Sequence, residues 1–304
     1  MHKKNGFVVC SFYKFIPLNR LETLKSKLFQ FFKENNSKGT ILISKEGING
    51  SLSFKKEQTK NIKFFLEETC STGFSFKIQN HSTHVFLRLK IKIKKEIIRL
   101  GEFHLAPKIK TGILVAPKKW DELINEENVT IIDTRNDYES EIGSFKNATK
   151  TNTNNFTEFP NWVKNNSSDL KKKKIAMFCT GGIRCEKASA FLLNNGYKKV
   201  YQLKGGIINY LKITKNKNQK WLGECFVFDE RVSLQENLKK GDFFQCYACR
   251  SAITKKEMKS KFYKEGISCP KCFKLTSNEK KKNFAERQKQ VKLAKKKGIK
   301  HLGS

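Results

Sequence analysis

The 304-residue chain lacks any apolar run of 18 or more residues, which excludes an apolar membrane-spanning helix. It also lacks a secretory leader's cleavage site. The opening MHKKNGFVVCSFYKF is charged at its start, Lys14 ends its apolar stretch, and no small-residue site follows. The expected location is therefore the cytoplasm. No GxGxxG follows a strand-like segment, and no haem-attachment motif occurs. The five histidines (His2, His81, His84, His104 and His301) form no two-His-one-carboxylate set. There is accordingly no flavin, haem or nicotinamide signal. Acidic residues are scarce: 28 Asp and Glu against 62 Lys and Arg leave a net charge of +34. Such a surplus suits a polyanionic partner, because clustered cations release phosphate counterions on binding. The bias of an AT-rich genome toward Lys, Asn, Phe and Ile explains it equally well.

The length suggests two or three domains. Residues 5–95 read as β-α-β-β-α-β. FVVCSFYKF (7–15) is strand-like, and LNRLETLKSKLFQFF (18–32) repeats Leu21, Leu24, Leu28, Phe31 and Phe32 at helical spacing. TILIS (40–44) and SLSF (51–54) flank KEGING as an antiparallel pair. KKEQTKNIKFFLEE (55–68) is a second helix, and HVFLRLKIKI (84–93) alternates as a half-buried strand. That order predicts a ferredoxin-like α+β domain over 1–95. The basic face of its last strand (Arg88, Lys90, Lys92, Lys94) is expected to be solvated, with a nucleic-acid backbone as the other reading. Residues 96–117, with Pro107 and Pro117 and no clear period, read as a linker.

An α/β unit follows over 118–219. VTIID (129–133), KKKKIAMFC (171–179) and KVYQL (199–203) are strand-like. They alternate with helical segments at 156–166, EKASAFLLNNG (186–196) and GIINYL (206–211), implying a mainly parallel sheet covered on both faces. Ligands of such sheets bind beyond the carboxyl ends of strands. Cys179 stands at one of those ends. Thr180, Gly181, Gly182, Ile183 and Arg184 form a short loop whose glycines let backbone N–H groups converge, and a helix starts near Cys185. Inward amides, a helix N-terminus and Arg184 all favour a thiolate, so Cys179 is expected to have a depressed pKa and to carry a persulfide or oxyanion well. Cys185 either resolves an oxidised Cys179 or packs at the helix start. Asp133 and Arg135 are expected as a structural ion pair and cap, although Asp133 could orient the loop. Glu186 and Lys187 are expected at a cap and on the surface.

Nine cysteines in a cytoplasmic chain point to metal or catalytic use rather than disulfides. Cys10, Cys70 and Cys225 are isolated. Cys246-x-x-Cys249 and Cys269-x-x-Cys272, nineteen residues apart, match a four-cysteine zinc ribbon within a Cys-rich segment at 220–278. Such an all-thiolate site is closed and structural. Unmetallated thiols or a redox pair are the alternatives, and Tyr263 between the knuckles is expected in the local core. A basic tail over 279–304 carries ten cations from Lys280 to Lys300 and reads as a weakly amphipathic helix or an arm.

CTGGIRCEKAS and the upstream IIDTRNDYESEIGSFKNA (131–148) resemble the active site and opening signature of rhodanese domains. Together with the LKGGI turn and GECFVFDERV, they resemble the bacterial tRNA uridine(34) hydroxylase family of the TrhO type. The resemblance implies an acylphosphatase-like N-terminal domain, a rhodanese domain and a Cys-rich C-terminal segment. It further implies oxygen-dependent conversion of the wobble uridine of tRNA to 5-hydroxyuridine, with Cys179 in the place of the active-site cysteine. Partners would then be tRNA, molecular oxygen and a reductant the sequence does not identify. Two other functions compete: a sulfurtransferase that moves sulfane sulfur through a Cys179 persulfide, and a catalytically idle RNA-binding module. The intact nucleophile and its cradle argue against the last.

Overall fold

The computed structural model describes residues 6–214 and 220–298. His2, Lys300 and His301 lie outside the described residues. In the N-terminal domain β1 (Phe7–Phe15) precedes α1 (Leu21–Glu34), β2 (Lys38–Ser44), β3 (Gly47–Lys55), α2 (Thr59–Cys70), β4 (Lys77–His81) and β5 (Leu89–Ile93). The sheet order β4-β1-β3-β2 is that of a ferredoxin-like domain, with β5 added parallel to β2 at the far edge. The fourth strand of the motif is therefore Lys77–His81, not the segment at 84–93. Its sequence, KIQNH, lacks the apolar alternation that would have marked it. Val8, Cys10 and Phe12 turn toward Leu28 and Phe32 of α1 and Ile62 and Leu66 of α2, so both helices cover one face. Ser11 and Tyr13, at the alternate positions of β1, belong to the other face.

The second domain begins inside the segment that reads as a linker. β6 (Ile113–Val115) pairs with β11 (Val200–Leu203) as an edge strand, too short to show a period. It is followed by α3 (Pro117–Leu123), β7 (Val129–Asp133), α4 (Asp137–Ser140), β8 (Gly143–Phe145) and β9 (Thr149–Lys150). Then come α5 (Phe159–Asn165), α6 (Ser167–Leu170), β10 (Lys174–Phe178), α7 (Ile183–Asn194), β11 and α8 (Gly206–Ile213). The parallel sheet runs β6-β11-β10-β7-β9. Strand β10 is central and buried on both faces. Ile175 and Met177 enter the cluster holding Phe159, Ala188 and Leu192; Ala176 and Phe178 enter the one holding Trp120, Ile207 and Trp221. Such doubly covered strands read as continuous apolar runs, as IAMF does.

The C-terminal part is made of short pairs. β12 (Trp221–Gly223) pairs with β8, β13 (Cys225–Phe226) with β14 (Ser233–Leu234), and β15 (Phe244–Gln245) with β16 (Ala252–Ile253). After α9 (Lys255–Met258) comes α10 (Asn278–Lys296), a helix with no buried residue. The described part of the basic tail is thus helical up to Lys296, and Arg287 anchors it by donating to the carbonyls of Tyr247 and Gly266, each at 2.8 Å. Among the described residues no helix is long and apolar enough to cross a membrane.

Candidate active site and metal centre

Cys179 follows β10 directly, at the carboxyl end of the central strand, and is 2% exposed. The chain turns through Thr180, Gly181 and Gly182 into α7, whose first residue is Ile183, so Arg184 and Cys185 belong to the first helical turn. Gly182 adopts φ +98°, a left-handed conformation that a side chain would strain, and this aims its N–H at the Cys179 sulfur from 3.1 Å. The Gly205-Gly206 turn closes over the loop from the other side. Ile207 N–H donates to the Cys179 carbonyl at 3.0 Å and Ile208 N–H to that of Thr180 at 3.2 Å. A Cβ on Gly206 would stand 2.5 Å from the Cys179 carbonyl oxygen, so only glycine fits.

Burial opposes ionisation of Cys179. The Cys185 thiol, the Arg184 charge and the N–H groups of Cys185 and Gly182 outweigh it and bring the thiol down to about 6. Cys185 moves the opposite way, raised by its own burial and by donating to the Cys179 sulfur. It is wholly buried, with Thr134 Oγ1 at 3.6 Å from its sulfur. Arg184 is held by Glu139 at 2.8 Å, a carboxylate with no exposed surface. Glu139 is itself fixed by accepting the Asn136 N–H at 3.1 Å in the capping box of α4. The cradle can therefore stabilise negative charge on sulfur or on atoms attached to it.

Asp133 and Arg135 form the structural pair that their spacing suggests. The guanidinium is bidentate to the carboxylate at 2.9 and 2.6 Å and also donates to the carbonyls of Glu139 and Gly143. Ser144 gives Asp133 a further hydrogen bond at 2.8 Å, so this buried pair is fully engaged within the fold.

Lys187 is not a surface residue, and Glu186 is half-buried. Lys187 has no exposed surface, and its ammonium binds Glu46 at 2.7 Å and Glu96, with the Ile98 carbonyl at 3.2 Å. Glu186 accepts the Tyr13 hydroxyl at 2.7 Å. Both corrections have one cause: the first turn of α7 is covered by the N-terminal domain, which sequence periodicity within α7 cannot reveal. Tyr13 packs on the loop so closely that a Cβ on Gly182 would lie 3.0 Å from its hydroxyl. Lys77 of β4 sits over the Tyr13 ring at 4.9 Å. Neither residue stood out in the sequence, where both are ordinary members of strand-like stretches.

The sulfurs of Cys246, Cys249, Cys269 and Cys272 all lie within 4.8 Å of one another. The separations Cys249–Cys269 and Cys269–Cys272 are 3.8 and 3.7 Å. A tetrahedron with metal–sulfur bonds of about 2.3 Å has edges of about 3.8 Å, so the four thiols fit one metal ion. Ile253, with partly buried Phe244, Met258 and Tyr263, forms the small core around them. Cys10, Cys70 and Cys225 are buried apart from this cluster. Burial pushes their thiols up to about 12, 11 and 12.

Residues 7–97 match the UPF0176 acylphosphatase-like domain, and residues 116–212 match the rhodanese-like domain. The chain has the domain architecture of the TrhO family. It thus carries a rhodanese-like domain, and the Tyr13–Glu186 hydrogen bond places the acylphosphatase-like sheet against the sulfur loop of that domain. Solved structures similar to it include a rhodanese-related protein from Thermoplasma volcanium. That protein is 24% identical over 33% of this chain and 91% of its own, with a TM-score of 0.27. A rhodanese-like domain protein from Staphylococcus aureus is 23% identical over 32% and 90%, with a TM-score of 0.27. The rhodanese-like domain of an Anabaena protein is 22% identical over 36% and 78%, with a TM-score of 0.30.

Proposed function

We propose that the protein is a tRNA-modifying enzyme that hydroxylates the wobble uridine at C5, with Cys179 as its reactive group. The observation that carries the reading is the buried Cys179, its sulfur accepting the Gly182 N–H at 3.1 Å, set beneath an acylphosphatase-like domain in the domain order of the TrhO family. In the net reaction one atom of dioxygen enters the C5–H bond and the other leaves as water, with two electrons from a reductant and two protons. The cradle of Gly182, Cys185 and Arg184 holds sulfur in the anionic form needed for a persulfide or a nucleophile. Cys246, Cys249, Cys269 and Cys272 hold zinc as a closed structural site. The surplus of cations supports a polyanionic partner, here tRNA.

A sulfurtransferase is the second reading, favoured by the same anion cradle, which suits a terminal persulfide sulfur. Mass spectrometry of tRNA nucleosides from cells with and without the gene separates the two. Uridine gaining one oxygen supports hydroxylation; sulfur replacing oxygen supports transfer. Identical nucleoside profiles overturn both readings as they concern tRNA.

A further inference from the structure

A cleft of about 580 Å³ opens where the N-terminal sheet, the rhodanese loop and the C-terminal segment meet. Its sheet side is a row of polar residues in register across four strands. Ser11 pairs with Ser51, Ser51 with Thr40, and Thr40 with Lys90. These four residues share the face opposite α1 and α2, and all of them line the cleft. The C-terminal segment contributes Phe228 and Tyr247, large aromatic side chains that are 59% and 47% exposed. Arg88 and Arg250 add positive charge; on the same lining Arg231 is paired with Asp229 at 2.6 Å, and Glu230 is an exposed carboxylate. Partial burial and the crowding of Lys90 by Arg88, Lys92 and Arg250 lower the Lys90 pKa, as expected where like charges converge. From the rhodanese domain comes Thr180, the neighbour of Cys179, whose hydroxyl is buried without a hydrogen-bond partner among the described residues.

Exposed rings, converging cations and a row of hydroxyls on an open sheet face form the chemistry that recognises an unstacked nucleotide. Aromatic faces take the base, cations take the phosphates, and hydroxyls take the sugar and base edges. An acidic peptide would use the cations but leave the rings without a partner. We propose that this cleft seats one nucleotide of single-stranded RNA. The base rests on Phe228 and Tyr247, the phosphates lie at Arg88, Lys90 and Arg250, and the reacting edge turns toward Thr180 beside Cys179. The assignment rests on the reading of the protein as an RNA-modifying enzyme and gives its first metal knuckle, which bears Tyr247 and Arg250, a binding role.

The test is fluorescence anisotropy of a labelled heptauridylate with the full-length protein at fixed salt. Phe228→Ala and Tyr247→Ala change no charge and should each weaken binding about fivefold or more. Arg88→Ala with Arg250→Ala should lower the slope of log K against log salt by about 1.4, the value for two phosphates on a single strand. Lys33→Ala with Lys60→Ala removes the same charge from exposed positions on the far side of the sheet and should leave that slope nearly unchanged. Tyr247 lies between two cysteines, so its variant is read only if metal content is kept; Phe228→Ala carries the test otherwise. An unchanged affinity for Phe228→Ala, or equal slopes for the two double variants, overturns the seat. So does a polyglutamate peptide that binds as tightly and is equally weakened by Phe228→Ala. The assay needs no chemistry at Cys179. Binding lost in cleft variants with no modified uridine in cells would therefore keep the seat and sink the hydroxylase. Modified uridine with binding indifferent to the cleft would do the reverse.

Discussion

Replacing Arg184 by alanine removes the strongest side-chain charge among the described groups that hold Cys179 as a thiolate; the Cys185 thiol and two backbone N–H groups also contribute, and Lys77 adds a weaker charge. Holding the thiol at about 6 instead of 9.0 favours the anion by about 4 kcal/mol, at about 1.36 kcal/mol for each pH unit. A neighbouring opposite charge accounts for about one to three pH units. At the lower end, the Cys179 midpoint in Arg184→Ala should move from about 6 to about 7. Well below the midpoint the thiolate fraction then falls about tenfold. The more basic thiolate is also about threefold more nucleophilic, because reactivity rises with roughly the 0.45 power of basicity. The variant should therefore react about threefold more slowly with a small neutral alkylating agent near pH 5, and about threefold faster near pH 9. The two profiles should cross. Because Arg184→Ala also strands the buried Glu139 carboxylate, Glu139→Gln in the same background controls for that charge. Stopped-flow alkylation from pH 5 to 9, with peptide mapping to Cys179, provides the measurement. Superimposed profiles, or a uniform slowing with an unmoved midpoint, would show that Arg184 does not set the ionisation.

Cys179→Ser should abolish tRNA modification in a deletion strain without lowering the melting temperature, since a hydroxyl forms no persulfide; restored modification would remove Cys179 from the chemistry. Purified protein should carry one zinc per chain, lost when Cys246 and Cys272 are both replaced by serine, and elemental analysis below a tenth of an equivalent after metal-replete expression would refute the site. Lys187→Met leaves Glu46 and Glu96 facing each other without their cation and should cost about 3 to 5 kcal/mol in urea unfolding. Glu96 is held below the usual carboxylate range because, against its burial, Lys187 and the N–H groups of Leu100 and Gly101 favour the anion. Its contribution is complete above the unfolded carboxylate value of about 4.3 and is lost as the pH falls through the lower folded value, so the variant's deficit should shrink in that acid window. Alanine at Lys280, Lys281 and Lys282 should flatten the salt dependence of tRNA binding while sparing Arg287, which anchors α10; an unchanged slope would assign those lysines to genomic bias.

The sulfur loop was legible because its chemistry is local. A strand, Cys179, two glycines and Arg184 are contiguous, and the strand-to-helix turn alone determines where the sulfur and the amides go. The four-cysteine cluster was legible for the same reason, since each knuckle is a four-residue unit. What escaped the sequence depends on contacts between units. β4 has no apolar alternation, and β6 is three residues long within a Pro- and Gly-containing stretch. Glu186 and Lys187 read as solvent-facing because their partners, Tyr13, Glu46 and Glu96, lie about 90 to 170 residues earlier. The cleft is assembled from residues that are ordinary in their own segments. Ser11, Thr40, Ser51 and Lys90 become one row only through strand register.

Four consecutive residues at the start of α7 point to four different destinations. Arg184 reaches Glu139, Cys185 reaches the Cys179 sulfur, Glu186 reaches Tyr13, and Lys187 reaches Glu46 and Glu96. The turn that tunes the sulfur is therefore also the rivet between two domains. A rhodanese fragment cut free at residue 116 would keep its cysteine and its loop. It would, however, open Glu186 and Lys187 to water at the very turn that sets the reactivity of Cys179. In a lineage built this way the two domains cannot be exchanged one at a time, because a replacement N-terminal domain must supply a hydroxyl and two carboxylates at these positions.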